Sequence, residues 1–342
     1  MTSPVNKLVQ KIIKVNRDEQ GVPAIAFLLK DEHIIFTSHD GCLQIIETKT
    51  GKLVGGPWQD KERSHICAVD VSPDRREVVT GSKNGKTQVW KWNASGKTLK
   101  MIAESKHVAA ANCVCWSRHD GGAHVASGFD DGSVAVWLVE SGLKNPMRID
   151  DTRLRYIHAI QYSHDGTQLI VSGYDREIAR LTIDEKAQEV QVDEVIITCN
   201  NPDDVSSATW ASTTFGHAIV AGSSDGKIRK IELPEGRVSE LEGPGHSDLV
   251  CAVVLSPAYR YVIATASRDS TLRFWNLNTK RTIGQPLPHS ADLTCAAFAA
   301  NGTLVATGTC DGEIYIWDIA DSLSKAMSTE DVNVGSRRRR KC

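Results

Sequence analysis

No run of 18 consecutive apolar residues occurs in this chain of 342. Its opening Met1-Thr2-Ser3-Pro4-Val5-Asn6-Lys7 lacks the apolar segment of a secretory leader. Neither a membrane span nor export is expected; the expected location is cytoplasmic, extending to the nucleus. Cysteine is present nine times, an odd number without paired spacing, which suits a reducing compartment better than a disulfide framework. Cys113-Val114-Cys115 has no second pair with which to hold zinc, so no metal and no cofactor is expected. No His-Glu-x-x-His occurs. Gly81-Ser82-Lys83-Asn84-Gly85-Lys86-Thr87 approaches a phosphate-binding loop but has three intervening residues instead of four. It also feeds the alternating strand Gln88-Val89-Trp90-Lys91-Trp92, where a helix N-terminus is needed. With no nucleophile, metal cluster or phosphate loop, the expectation is a protein that is not an enzyme.

Charge of one sign is missing overall, since 40 Lys+Arg stand against 42 Asp+Glu, but the balance is uneven. Five of the basic residues form the run Arg337 to Lys341, leaving 35 to face 42 acids elsewhere. An acidic body argues against a surface that grips nucleic acid, except through that run. Hydrophobic content of 41% with 24% charged residues describes a chain able to form a packed core.

What the sequence has in abundance is repetition. A short apolar run, a hydroxyl, a small residue, a polar turn and a second apolar run recur seven times. Examples are Ile34-Ile35-Phe36-Thr37-Ser38-His39-Asp40-Gly41 and Val78-Val79-Thr80-Gly81-Ser82-Lys83-Asn84-Gly85. The turn residues are Asp40, Asn84, Asp131, Asp175, Asp225, Asp269 and Asp311, spaced 42 to 50 residues apart. Six residues after each stands a bulky side chain: Ile46, Trp90, Trp137, Leu181, Ile231, Trp275 and Trp317. Each unit contains four strand-like segments and no helical period. Four strands every 40–45 residues or so is the signature of a propeller blade, whose two faces are covered by its neighbours. The expected fold is all-β: a seven-bladed β-propeller of four-stranded antiparallel blades spanning 1–320, with a polar-to-basic, disordered tail over 321–342. The last repeat lacks an evident fourth strand, and Lys7 to Val15 is apolar enough to supply it and close the ring.

Trp317-Asp318, Gly245-His246 and the Asp-to-Trp spacing resemble the WD-repeat family over nearly the whole chain. Links such as Thr282-Ile283-Gly284-Gln285-Pro286-Leu287 are more distantly similar to WD repeats of fungal NOD-like receptor proteins. The resemblance implies buried hydrogen-bond sets of His, Ser/Thr, Asp and Trp: His107-Ser127-Asp131-Trp137, His246-Thr265-Asp269-Trp275 and His289-Thr307-Asp311-Trp317. The remaining repeats carry Asp18, Glu62, Arg153 and Asn201 in place of the His, so no such set is expected there. His beside Asp and Ser also suggests a catalytic triad, yet three copies in three blades serve stability better than chemistry.

The resemblance further implies a rigid, non-catalytic scaffold that binds other proteins or peptides around its central channel. Carried onto this sequence, the family's contact positions include His65, Tyr156, His158, Tyr174, Asp204, Leu249, Arg268 and Asp292. Equivalent positions also include Cys67, Asn112, Ser206, Cys251 and Thr294. Aromatic residues and Arg are the usual interface anchors, which singles out Tyr156, His158, Tyr174 and Arg268. Two other functions compete. A nuclear reader of histone tails or nucleic acid is favoured only by the basic run. A hydrolytic propeller lacks catalytic residues, and the Asp-to-Trp offset of six departs from the five of sialidase-type boxes.

Overall fold

In the computed structural model, the described residues are 9–14, 21–59, 61–119, 121–174, 177–184, 186–197, 205–213 and 216–324. They form seven four-stranded sheets. Strand β1 is Val9–Lys14. The first blade holds β2 (Ile25–Leu28), β3 (His33–Thr37), β4 (Cys42–Glu47) and the two-residue β5 (Trp58–Gln59), and the second holds β6 (Ile66–Val71), β7 (Glu77–Ser82), β8 (Lys86–Asn93) and β9 (Thr98–Lys106). Blade three contains β10 (Ala111–Trp116), β11 (His124–Phe129), β12 (Val134–Leu138) and β13 (Met147–Ile149); blade four contains β14 (Ala159–Tyr162), β15 (Gln168–Ser172), β16 (Glu177–Asp184) and β17 (Glu189–Ile197). Blade five comprises β18 (Val205–Thr213), β19 (Gly216–Ser223), β20 (Ile228–Glu232) and β21 (Arg237–Glu240), and blade six β22 (Val250–Leu255), β23 (Val262–Ser267), β24 (Thr271–Asn276) and β25 (Arg281–Pro288). The seventh is β26 (Leu293–Phe298), β27 (Leu304–Thr309) and β28 (Glu313–Asp318), completed by β1.

All pairings within the blades are antiparallel, and β1 lies against β28 with Lys11 opposite Ile316, Ile13 opposite Ile314 and Lys14 opposite Glu313. The N-terminal strand therefore seals the ring, and Lys14 Nζ pins its end to Glu313 at 3.0 Å. Chain-terminal segments joined in one sheet leave no open strand between first and last blades.

The second strand of each blade is buried on both faces, which explains its unbroken apolar run. In β23, Val262 through Ser267 are all buried. Seven apolar clusters sit at the seven blade junctions, each built from residues of two neighbours. Val22, Ile25 and Phe27 of the first blade meet Cys295, Ile314 and Ile316 of the seventh, so the closing junction is packed like the others. Burying one such side chain contributes roughly 1.5–3 kcal/mol.

Chain order continues past the boundary expected at 320. Residues 320–324 form a short helical turn that buries Leu323 against the cluster between blades six and seven. The apolar contact of Leu323 extends the ordered domain there. Asp18, Asp175, Asn201, Asp204 and the run Arg337 to Lys341 lie outside the described residues.

A candidate protein-interaction face at the channel mouth

In an up-and-down blade, turns between the second and third strands share one face with the links from blade to blade. The turn after β3 ends at Asp40-Gly41, and the equivalent turns hold Asn84-Gly85, Asp131-Gly132, Asp225-Gly226 and Asp311-Gly312. Glycine is needed there for two reasons. Gly226 has φ of 79°, and a Cβ on it would come within 2.2 Å of the His246 carbonyl of the next blade.

These turns are held by side chains in different ways. In blade six the expected set closes completely. Trp275 Nε1–H donates to Thr265 Oγ1 at 2.9 Å, Thr265 donates to His246 Nε2 at 2.7 Å, and His246 Nδ1–H donates to Asp269 at 2.9 Å. Burial lowers the His246 pKa, consistent with a neutral ring that donates at one nitrogen and accepts at the other.

Blade seven departs from that pattern. His289 bonds Thr307 at 2.8 Å and receives the Trp317 indole N–H at 3.2 Å, but its Nδ1 faces the Leu287 carbonyl at 3.1 Å. Asp311 accepts the Thr309 hydroxyl instead, so it is not part of the histidine set. In blade three the set does not form. His107 Nδ1 accepts the Ala109 amide, Ser127 bonds Thr87 of the neighbouring blade at 2.8 Å, and Trp137 Nε1 has no partner among the described residues. Arg148 reaches His107 Nε2, while Asp131 stands 3.6 Å away, engaged by Ser133.

Two substitutes were missed by looking for histidine. In blade five, buried Arg229 grips Asp225 with both guanidinium nitrogens, at 3.2 and 2.5 Å, and also reaches Ser223. In blade two, Glu62 accepts the Asn84 amide at 2.6 Å and pairs with Lys86. The turn residue followed two or four positions later by a cation is the sequence signal that marks them.

Blade five also holds Gly222-Ser223-Ser224-Asp225-Gly226, which reads as a Gly-x-Ser-x-Gly elbow. It lies in the hairpin turn between β19 and β20, with no helix after it, so the strand-to-helix geometry of a nucleophile elbow is not present. Among the described residues no cluster of His, Cys, Asp and Glu is arranged to hold a metal.

Around the mouth, several of the expected contact residues come together. Tyr156 and Tyr174, 49% and 56% exposed, meet edge to face with ring centres 5.5 Å apart. His158 packs edge-on against Tyr174 at 4.4 Å. The arc continues through neighbouring blades. Asn112 donates to Asp130 and accepts from Lys83 Nζ at 3.0 Å, and the His39 and His65 rings lie 4.5 Å apart. Burial, then the nearby His39 and Lys83, push the His65 pKa down to about 4; burial lowers that of His158 too. Nε2 of each of these two histidines has no hydrogen-bond partner among the described residues.

Elsewhere the mouth is sparser. Arg268 and Asp292 are exposed on blades six and seven, while Leu249 is half-buried. None of these three joins the aromatic arc: Arg268 stands two blades away, as its repeat dictates. Cys67, Asn112, Ser206, Cys251 and Thr294 occupy bulges at the start of the first strand in their blades. The bulge turns three of them toward the next blade. Ser206 bonds the Val250 carbonyl at 2.5 Å, Cys251 that of Leu293 at 3.1 Å, and Thr294 that of Val22 at 2.6 Å. Those three hydroxyl and thiol groups are occupied in fastening blade to blade.

Comparison with known proteins agrees with this geometry. The family described as "WD domain, G-beta repeat" matches residues 59–91, 237–276 and 281–318. The chain carries WD repeats. Their matched segments fall in blades one and two and in blades five to seven, where Trp90, Trp275 and Trp317 stand. Cilia- and flagella-associated protein 52 of Homo sapiens is 22% identical over 265 residues, covering 78% of this chain and 40% of that protein. Periodic tryptophan protein 2 homolog of Dictyostelium discoideum is 27% identical over 241 residues, 69% of this chain and 24% of its own length. Telomerase protein component 1 of Rattus norvegicus is 25% identical over 283 residues, 79% of this chain and 10% of that one. This WD-repeat chain thus spans two fifths or less of each of these relatives. No helix among the described residues is long and apolar enough to cross a membrane.

Proposed function

We propose that this WD-repeat propeller is a non-catalytic scaffold that binds a protein or peptide across its channel mouth, inside the cell. One observation carries the reading: Tyr156 and Tyr174 leave about half their surface to solvent while held edge to face. Two rings fixed by each other and by His158 present apolar area at little further entropic cost, as interface anchors do. The polar arc from His39 to Asp130 offers hydrogen bonds beside them, and Arg268 a planar cation two blades further round.

Site-specific photo-cross-linking tests this. A benzophenone amino acid at Tyr174 should capture a discrete partner from cells, whereas the same group at Leu53, 57% exposed and on the outer part of blade one, should not. Equal capture at both positions, or capture only at Leu53, would refute binding at the mouth.

A further inference from the structure

The opposite face, where first-to-second and third-to-fourth strand turns lie, carries a second surface. A groove of about 610 Å³ runs between blades one and two, lined among others by Leu29, Arg76, Lys91, Trp92, Lys100 and Ile102. That volume falls in the range of about 300–1,000 Å³ common for ligand sites. Its floor is aromatic: Trp92 packs edge-on to Trp58 at 5.8 Å and to His33 at 5.7 Å. Trp92 is only 4% exposed, and its indole N–H has no hydrogen-bond partner among the described residues; neither has His33 Nδ1. Leaving a buried donor without an acceptor is unfavourable.

The rim is basic. Arg76, Lys91 and Lys100 are exposed, and the lining contains no carboxylate. Glu77 neutralises Lys91 at 3.2 Å, which leaves Arg76 and Lys100 without an ion pair among the described residues. Ile102, 44% exposed, adds an apolar wall. Two uncompensated cations on the rim, an exposed isoleucine and an aromatic floor complement one kind of ligand. From this we infer that the groove is a second docking site, for an acidic partner peptide that combines a carboxylate with a large apolar side chain. The carboxylate faces Arg76 and Lys100, and the apolar group rests on Ile102 and Leu29. The chain's own basic run, Arg337 to Lys341, has the wrong sign to occupy it.

The test is selection from a random 12-residue peptide library on the immobilised full chain. It is run in parallel on R76E/K100E, on the charge-conserving R76K/K100R and on W92F. Expected is enrichment of peptides rich in Asp or Glu beside Leu, Ile, Phe or Trp. A selected peptide should lose at least tenfold in affinity on R76E/K100E, little on R76K/K100R, and several-fold on W92F. Both double variants alter exposed side chains and should melt with the parent, so the result stands even if W92F fails to fold. No enrichment, enrichment unaffected by charge reversal, or a preference for basic peptides overturns the proposal. So does displacement of the selected peptide by oligothymidine at equal concentration, which would assign the groove to nucleic acid. Alanine at Tyr156 and Tyr174 should leave this binding intact, separating it from the channel mouth.

Discussion

At the scale of single residues, the same turn is secured by unlike chemistry from blade to blade. Asp269 accepts from His246, from the Ser247 amide and from both the amide and hydroxyl of Thr271, whereas Asp311 accepts from Thr309. Asp269→Ala should therefore destabilise by about 1–3 kcal/mol, and Asp311→Ala by less. Equal losses in denaturant midpoint would mean that the histidine set adds nothing. Gly226→Ala combines a left-handed backbone with a 2.2 Å approach to the His246 carbonyl and should cost more than the ~1 kcal/mol of an ordinary glycine replacement. At Ser270, where φ is 60° without glycine, Ser270→Gly should instead be neutral or stabilising. Urea melts of the two variants check the opposite signs.

At the scale of elements, the repeat made the inner three strands of each blade legible, because burial of the second on both faces demands an apolar run and the hydroxyl-to-Trp spacing fixes register. The outermost strands were harder to place. They have one exposed side and vary from two residues in β5 to nine in β9, so no pattern constrains them. Of the hydrogen-bond sets that the family resemblance implies, the one around His246 forms as expected. Those around His107 and His289 differ: His107 meets the Ala109 amide and Arg148, and His289 the Leu287 carbonyl, and none of these partners is at a position the repeat marks. Tyr156, His158 and Tyr174 were singled out by the contact positions that the family resemblance implies; the bulges that turn Ser206, Cys251 and Thr294 into blade fasteners have no such signal. Strand β1 tests the closure. Deleting residues 1–16 removes the strand that pairs with β28's outer edge and strips Ile13 from the junction of blades seven and one. Such a protein should aggregate or melt far below the parent; an unchanged thermal transition would contradict ring closure through β1.

At the scale of the whole molecule, stability and binding are assigned to different residues. Burial lowers the pKa values of His33, His65, His107, His158, His246 and His289, with His65 and His289 reaching about 4. In the unfolded chain each returns to about 6.5 and binds a proton more readily than in the fold. The stability these neutral rings contribute is thus complete above about pH 6.5 and is lost as pH falls toward 4. Denaturant midpoints should decline across that window, and less steeply in His289→Gln; a flat profile down to pH 4 would refute buried neutral histidines.

The channel mouth should behave differently, since Tyr156, Tyr174 and Arg268 are exposed and their loss opens no cavity. The most direct measurement compares partner recovery and melting temperature side by side for Y156A/Y174A/R268A and for D269A. The triple variant should lose the partner while melting with the parent, and D269A should keep the partner at low temperature while melting lower. A triple variant that still recovers the partner, or one that loses both partner and stability together, would contradict the separation of scaffold from binding face.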